Sequence, residues 1–223
     1  MVDPARWPTE DLIENLTTNE AAVAAGVTVA KINRMIDKRI LPKELYKTSV
    51  SRTVRNDACL WIAFYFETEE VLTAAARVKA IRGAIVCNRS WSELRHCKFE
   101  ECRTVQVLLS SIWEDVDRRL SQLRDAQQMV VQDPEILRGT PVIRGTRIPV
   151  HDVASLVDAG SPVQEILDIY PRLTPSEIEL ASIYAKANPQ RGRPRHRSFP
   201  RNLTVSVSKK RLRSSSVGVC KEH

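Results

Sequence analysis

DPEILRGTPVIRGTRIPVHDVASLVDAGSPVQEILDIYPRLTPSEIELASIYAKANP, residues 133–189, is the stretch whose reading decides the fold. Arg144-Gly145-Thr146 separates two short β-branched pieces, 141–143 and 147–150. That pattern predicts a tight turn between short strands, with the glycine free to take a positive φ. Three short helices are expected to follow. The first covers 150–159 and stops at Gly160, a natural left-handed cap. The second opens with Ser161-Pro162-Val163-Gln164: Ser at the N-cap, Pro at the first helical position and Gln reaching back. The third opens the same way with Thr174-Pro175-Ser176-Glu177, and Leu173 is placed to pack on Ile178.

Each helix carries one apolar stripe: Val150, Val153, Ala154 and Val157; then Val163, Ile166, Leu167 and Tyr170; then Ile178, Ala181, Tyr184 and Ala185. These spacings put each stripe on one helix face, so three amphipathic helices close around a common core. The expectation is a trihelical, homeodomain-like unit fronted by a small β-element. The last helix is expected to expose Ser176, Glu177, Glu179, Ser182 and Lys186, a mostly acidic set that phosphate would repel. A unit of under ~60 residues has little core of its own, which predicts self-association. Tyr170, Leu173 and Ile183 are the candidate contact residues.

The run GTPVIRGTRIPV, then AG, then EILDIYPRLTPSEIELASIYA resembles the small domain of unknown function found in VapB-type antitoxins. Such antitoxins are partners of PIN-like, VapC-type ribonuclease toxins in bacterial toxin–antitoxin pairs. The resemblance covers residues 131–188, with one departure at His151, where such domains often carry Ser. It implies a regulatory binding protein and a ribonuclease partner.

The chain has 223 residues, 43% of them hydrophobic, enough for one large domain or two small ones plus a tail. No run approaches the ~18 apolar residues of a membrane span, and no signal-peptide pattern opens the chain, so a cytoplasmic protein with no membrane partner is expected. The net charge is +7. Residues 189–223 hold ten Lys or Arg against Glu222, or +9, which leaves −2 for the rest. The basic character therefore belongs to the C-terminal tail. Five cysteines without a secretory signal imply reduced thiols. His96, Cys97 and Cys102, with or without Cys87, match no common zinc spacing, so no metal and no other cofactor is expected.

Residues 1–16 form a Pro-containing lead-in, with one turn of helix conceivable around 11–13. Beyond it, Thr18 is placed to cap a helix through Ala25, Gly26-Val27 makes a turn, and Thr28 caps a second helix to about Lys38. Two short helices joined by a Gly-containing turn are the helix-turn-helix signature. The Ala-Ala pair, the Gly-Val turn, the Thr cap and the Ile-Leu-Pro exit resemble MerR-type and excisionase-type readers. Residues 44–47 and 50–55 are predicted to pair as a wing around Thr48-Ser49. The second helix is expected to expose Thr28, Lys31, Arg34 and Lys38, and the wing carries Lys43, Lys47, Arg52 and Arg55. A helix in the major groove with a basic wing on flanking phosphates reads DNA. The same charges also suit a solvated face.

A buried helix over 57–66, a helix over 69–85, a strand over 104–108, an amphipathic helix over 110–128 and a strand over 129–132 complete the folded part. In the 110–128 helix the polar face is charged, with Glu114, Asp117, Arg118 and Arg119. After residue 188 Arg, Pro and Ser dominate and the helical period ends, as in a flexible tail. Arg191-Gly192-Arg193-Pro194 resembles the core of an AT-hook. Arg191, Arg193, Arg195 and Arg197 recur at every second position, so an extended chain turns them to one side. The resemblance to antitoxins makes them candidates for pairing with the clustered metal-binding carboxylates of a PIN-like toxin, where Arg is the better partner.

No Walker loop, dinucleotide fingerprint, His-Glu-x-x-His or nucleophile elbow occurs, and the four histidines are scattered. The expected fold is mainly α with small β elements. It comprises a winged helix-turn-helix over 1–68, a helical connector over 69–128, the trihelical domain over 129–188 and a basic tail over 189–223. The expected function is that of an antitoxin, not an enzyme, which neutralises its toxin and represses its own operator DNA as a homodimer or larger. The alternative is a stand-alone transcriptional regulator with a C-terminal dimerisation domain.

Overall fold

The computed structural model describes residues 15–86, 91–101 and 105–190. It is mainly helical with small antiparallel sheets, as the sequence predicts.

Strand β1 (Asn15–Thr17) runs directly into helix α1 (Thr18–Ala25). The N-cap is Thr17 rather than the expected Thr18. Its hydroxyl accepts from the Glu20 N–H at 3.3 Å, and its own N–H donates to the Glu20 carboxylate at 2.7 Å. The glutamate lies three residues after Thr17, and that spacing decides which threonine caps. Helix α1 ends at Gly26, φ +68, and Thr28 caps α2 (Val29–Asp37) by accepting from the Lys31 N–H at 3.4 Å.

After a 3-10 turn (Lys43–Leu45), β2 (Tyr46–Thr48) and β3 (Arg52–Arg55) pair antiparallel, Lys47 opposite Thr53. Strand β1 lies along the other edge of β3 with Leu16 opposite Val54, giving the order β1-β3-β2. Sequence reasoning misses β1 because three residues, though polar-apolar-polar, are too few for the alternation to stand out.

Helix α3 (Ala58–Glu67) buries its first seven residues, and Phe64 meets Trp61 and Phe99 edge-on at 6.2 Å each. It stops at Thr68, whose hydroxyl donates to the Phe64 carbonyl at 2.6 Å. Helix α4 (Ala74–Val86) starts five residues later than expected, because the Thr73 hydroxyl accepts from the Ala76 N–H and fixes a new start. A turn of helix, α5 (Trp91–Leu94), precedes the hairpin of β4 (Lys98–Glu101) and β5 (Val105–Leu108). Of these strands only β5 is foreseen.

Helix α6 (Ser110–Met129) joins two cores. Ile112, Val116, Leu120 and Leu123 belong to the core around α1–α4, and Ala126 to the second one. Strand β6 (Val130–Val131) pairs with β7 (Val142–Ile143), followed by α7 (Val150–Asp158), α8 (Val163–Ile169) and α9 (Pro175–Ala187). Helix α9 packs on α7, α6 and α1, and the described residues up to 190 form one compact unit.

Two caps of this segment come out differently. Thr174 and Glu177 form the expected capping box. Ser161 does not cap α8. The Gly160 N–H donates to the Val157 carbonyl and the Ser161 N–H to that of Leu156, so both residues finish α7 as a Schellman motif. Pro162 takes the N-cap position with no side-chain hydrogen bond, and Val163 is exposed. Helix α8 therefore rests on one fully buried side chain, Ile166. Ahead of β7, Leu137, Arg138 and Gly139 are successively left-handed, with φ of +47, +57 and +78. Each non-glycine costs about 1–2 kcal/mol there. Gly139 N–H bonds to the Asp133 and Ile136 carbonyls, and a Thr140 hydroxyl bond to Leu137, hold the turn.

Candidate nucleic-acid interface

Helix α2 separates its faces cleanly. Ile32, Met35 and Ile36 are buried, while Lys31, Arg34 and Lys38 stand exposed on one stripe at three- and four-residue steps. Thr28 is exposed at its start. Lys31 Nζ lies 4.6 Å from the centre of the Phe66 ring, which orients it by cation–π attraction. Arg34 and Lys38 form no salt bridge among the described residues, and nor do the exposed Lys43 and Lys47 of the hairpin side.

Arg52 and Arg55 are engaged within the chain. Arg52 Nη1 donates to Asn33 Oδ1 at 3.0 Å and Nη2 to Asp37 Oδ1 at 2.8 Å. That fork ties β3 to α2 and fixes the hairpin beside the cationic stripe. Arg55 donates through Nε and Nη2 to the two oxygens of Asp57 at 3.0 and 2.6 Å. Both guanidinium groups thus position the unit and present little free charge to phosphate. Six of the eight expected residues remain as the exposed surface: Thr28, Lys31, Arg34, Lys38, Lys43 and Lys47.

The turn between α1 and α2 is held from behind by a residue expected on a solvated face. A Cβ at Gly26 would lie 2.8 Å from Arg119 Nη1, which is buried without a hydrogen-bond partner. The positive φ favours glycine there, and a Cβ would also displace the end of the Arg119 side chain. Nearby, burial pushes the Glu67 carboxyl up, with Arg119 opposing and Asp115 adding to the rise.

In the C-terminal helices Leu173 is buried, Tyr170 is half-buried, and Ile183 packs against both cores. The apolar surface that suggested self-association is covered by α6 and α1 of the same chain. Val163 and Ile169, both on α8, and Leu137 ahead of β7 are large apolar side chains this unit leaves exposed. Ser182, expected outside, is buried. The His151 ring sits 6.1 Å from that of Tyr184, and burial lowers the His151 pKa, with Asp152 opposing. Cys59 and Cys97 are buried free thiols, and burial pushes the Cys59 thiol far up. Arg191, Arg193, Arg195 and Arg197, with Cys87, Cys102 and Cys220, lie outside the described residues. Among the described residues no helix is long and apolar enough to cross a membrane.

The class that emerges is a mainly α protein in which two short helices joined by a glycine turn, with a three-stranded sheet, precede a three-helix segment. A family model described as "Protein of unknown function (DUF433)" matches residues 130–185, the three-helix segment with its β-element. Over 188 residues the chain is 42% identical to "Uncharacterized protein y4eO" of Sinorhizobium fredii, covering 82% of this chain and 85% of the relative. The chain belongs to the same family as that protein. A crystal structure of Rv2018 from Mycobacterium tuberculosis aligns over 74% of this chain and 95% of its own, at 19% identity and a TM-score of 0.28.

Proposed function

We propose that the chain is an antitoxin-type regulator that reads its own operator through α2 and neutralises a PIN-like ribonuclease. The observation that carries the DNA-reading part is the α2 stripe, where Arg34 and Lys38 form no salt bridge among the described residues, beside a hairpin locked by Arg52. A free guanidinium on a helix that projects from a fixed core is suited to base edges, and the hairpin lysines to flanking phosphates. The toxin-neutralising part rests on the antitoxin resemblance of residues 131–188 and on the alternating arginines after 190.

The test is co-expression with the product of the adjacent gene. Co-purification with a small ribonuclease, and loss of its activity in the complex, is the expected result. Truncation after Asn188 should then weaken inhibition more than operator binding. Retained operator binding with no ribonuclease partner would instead favour the stand-alone regulator.

A further inference from the structure

Away from the α2 stripe, a half-enclosed cavity of about 350 Å³ opens between α3, α4 and β4. Its walls are apolar and largely aromatic: Trp61, Phe64, Phe99 and Leu109. Two exposed lysines, Lys79 and Lys98, also line it, and among the described residues no carboxylate does. Neither lysine forms a salt bridge among the described residues. An apolar well with unpaired cations at its edge is complementary to an amphipathic anion.

Gly83 also lines this cavity. It lies inside α4, where glycine costs about 1 kcal/mol relative to alanine. Its φ is not positive, and a Cβ there would meet nothing within 4 Å, so neither backbone conformation nor packing within the chain calls for glycine. With Lys79 it lines both this cavity and a neighbouring open groove on the Lys38 side. A side chain at 83 would therefore project at the edge of both.

We propose that this cavity binds an apolar monocarboxylate of about ten carbons, a size suited to a pocket near the lower end of the usual ligand range. The tail lies against Trp61, Phe64 and Phe99, and the carboxylate accepts from Lys79 and Lys98. This site stands independently of the DNA-reading proposal.

The experiment is calorimetric titration of the full chain with decanoate below its micellar concentration, with decanol and acetate as controls. One decanoate per chain is expected, with decanol at least about tenfold weaker and acetate showing no saturation. Lys79→Ala and Lys98→Ala should each weaken decanoate roughly tenfold, the loss of one charge-assisted hydrogen bond. Gly83→Leu, which raises helix propensity and should keep the fold by circular dichroism, should abolish binding. Ala84→Phe fills the cavity from the next position and should do the same. The proposal is overturned if decanoate does not saturate, if decanol binds equally well, or if both filled variants bind like the parent chain.

Discussion

The helix-turn-helix unit and the three-helix segment are built from similar parts and face solvent with opposite charge. Each contains a Thr/Glu capping box, at Thr17 and Glu20 in one and at Thr174 and Glu177 in the other. On α2 the exposed stripe is Lys31, Arg34 and Lys38, whereas α7–α9 expose Asp158, Glu165, Asp168 and Glu179 against Lys186. Short helices on a small core thus tell little about which unit meets nucleic acid. The proposed DNA reading rests instead on charge at the outer face, because phosphate contact requires cations not already paired.

The two regions also differ in how firmly their parts are held. Helix α3 buries seven consecutive side chains, while α8 buries Ile166 alone. The largest expected effect follows from this. Ile166→Ala should cost about 2–5 kcal/mol, the range for emptying a buried aliphatic site. Urea unfolding followed by circular dichroism measures it. A loss under about 1 kcal/mol would mean that α8 does not depend on that contact.

The capping boxes give a smaller and more exacting comparison. Thr17→Ala and Thr174→Ala should each cost about 1 kcal/mol. The backbone bonds match, 2.7 and 3.3 Å in both, but the Thr174 hydroxyl also donates to the Glu177 carboxylate at 2.9 Å, so Thr174→Ala should lose the more. Equal shifts in denaturation midpoints would show that this extra exposed bond contributes nothing.

The second box was legible because Thr-Pro-Ser-Glu places every capping group at its required spacing. The α1 box was legible only in part, since two adjacent threonines compete and the Glu20 spacing chooses between them. The Gly160 exit was also readable, but the sequence does not reveal that Ser161 finishes α7 rather than starting α8. Long-range facts were hidden altogether. Nothing local says that Arg119 backs Gly26, that Arg52 spends its charge on Asn33 and Asp37, or that α6 and α1 cover the three-helix segment. The cationic stripe on α2 was readable, because it depends on helical period alone.

The smallest expected effect concerns pH. Burial lowers the His151 pKa from its ordinary 6.5, so the unfolded chain takes up that proton more readily than the folded one. Its contribution to stability is complete above about pH 6.5 and is lost as pH falls toward the folded value. The chain should therefore lose stability between pH 7.5 and 5.5, and His151→Phe should lose less over the same interval. Parallel thermal melts at the two pH values measure the difference, and equal losses would show that His151 is not the titrating group.

Operator binding tests the central claim most directly. The probe is the DNA upstream of the protein's own gene, measured by fluorescence anisotropy at fixed salt with the full chain. Arg34→Ala should cost about 1–3 kcal/mol, and Lys38→Ala should weaken binding and flatten its salt dependence. Glu179→Gln on α9 should leave the affinity unchanged. Full affinity in the Arg34→Ala, Lys38→Ala double variant, with the tail present, would contradict the assignment of DNA reading to α2.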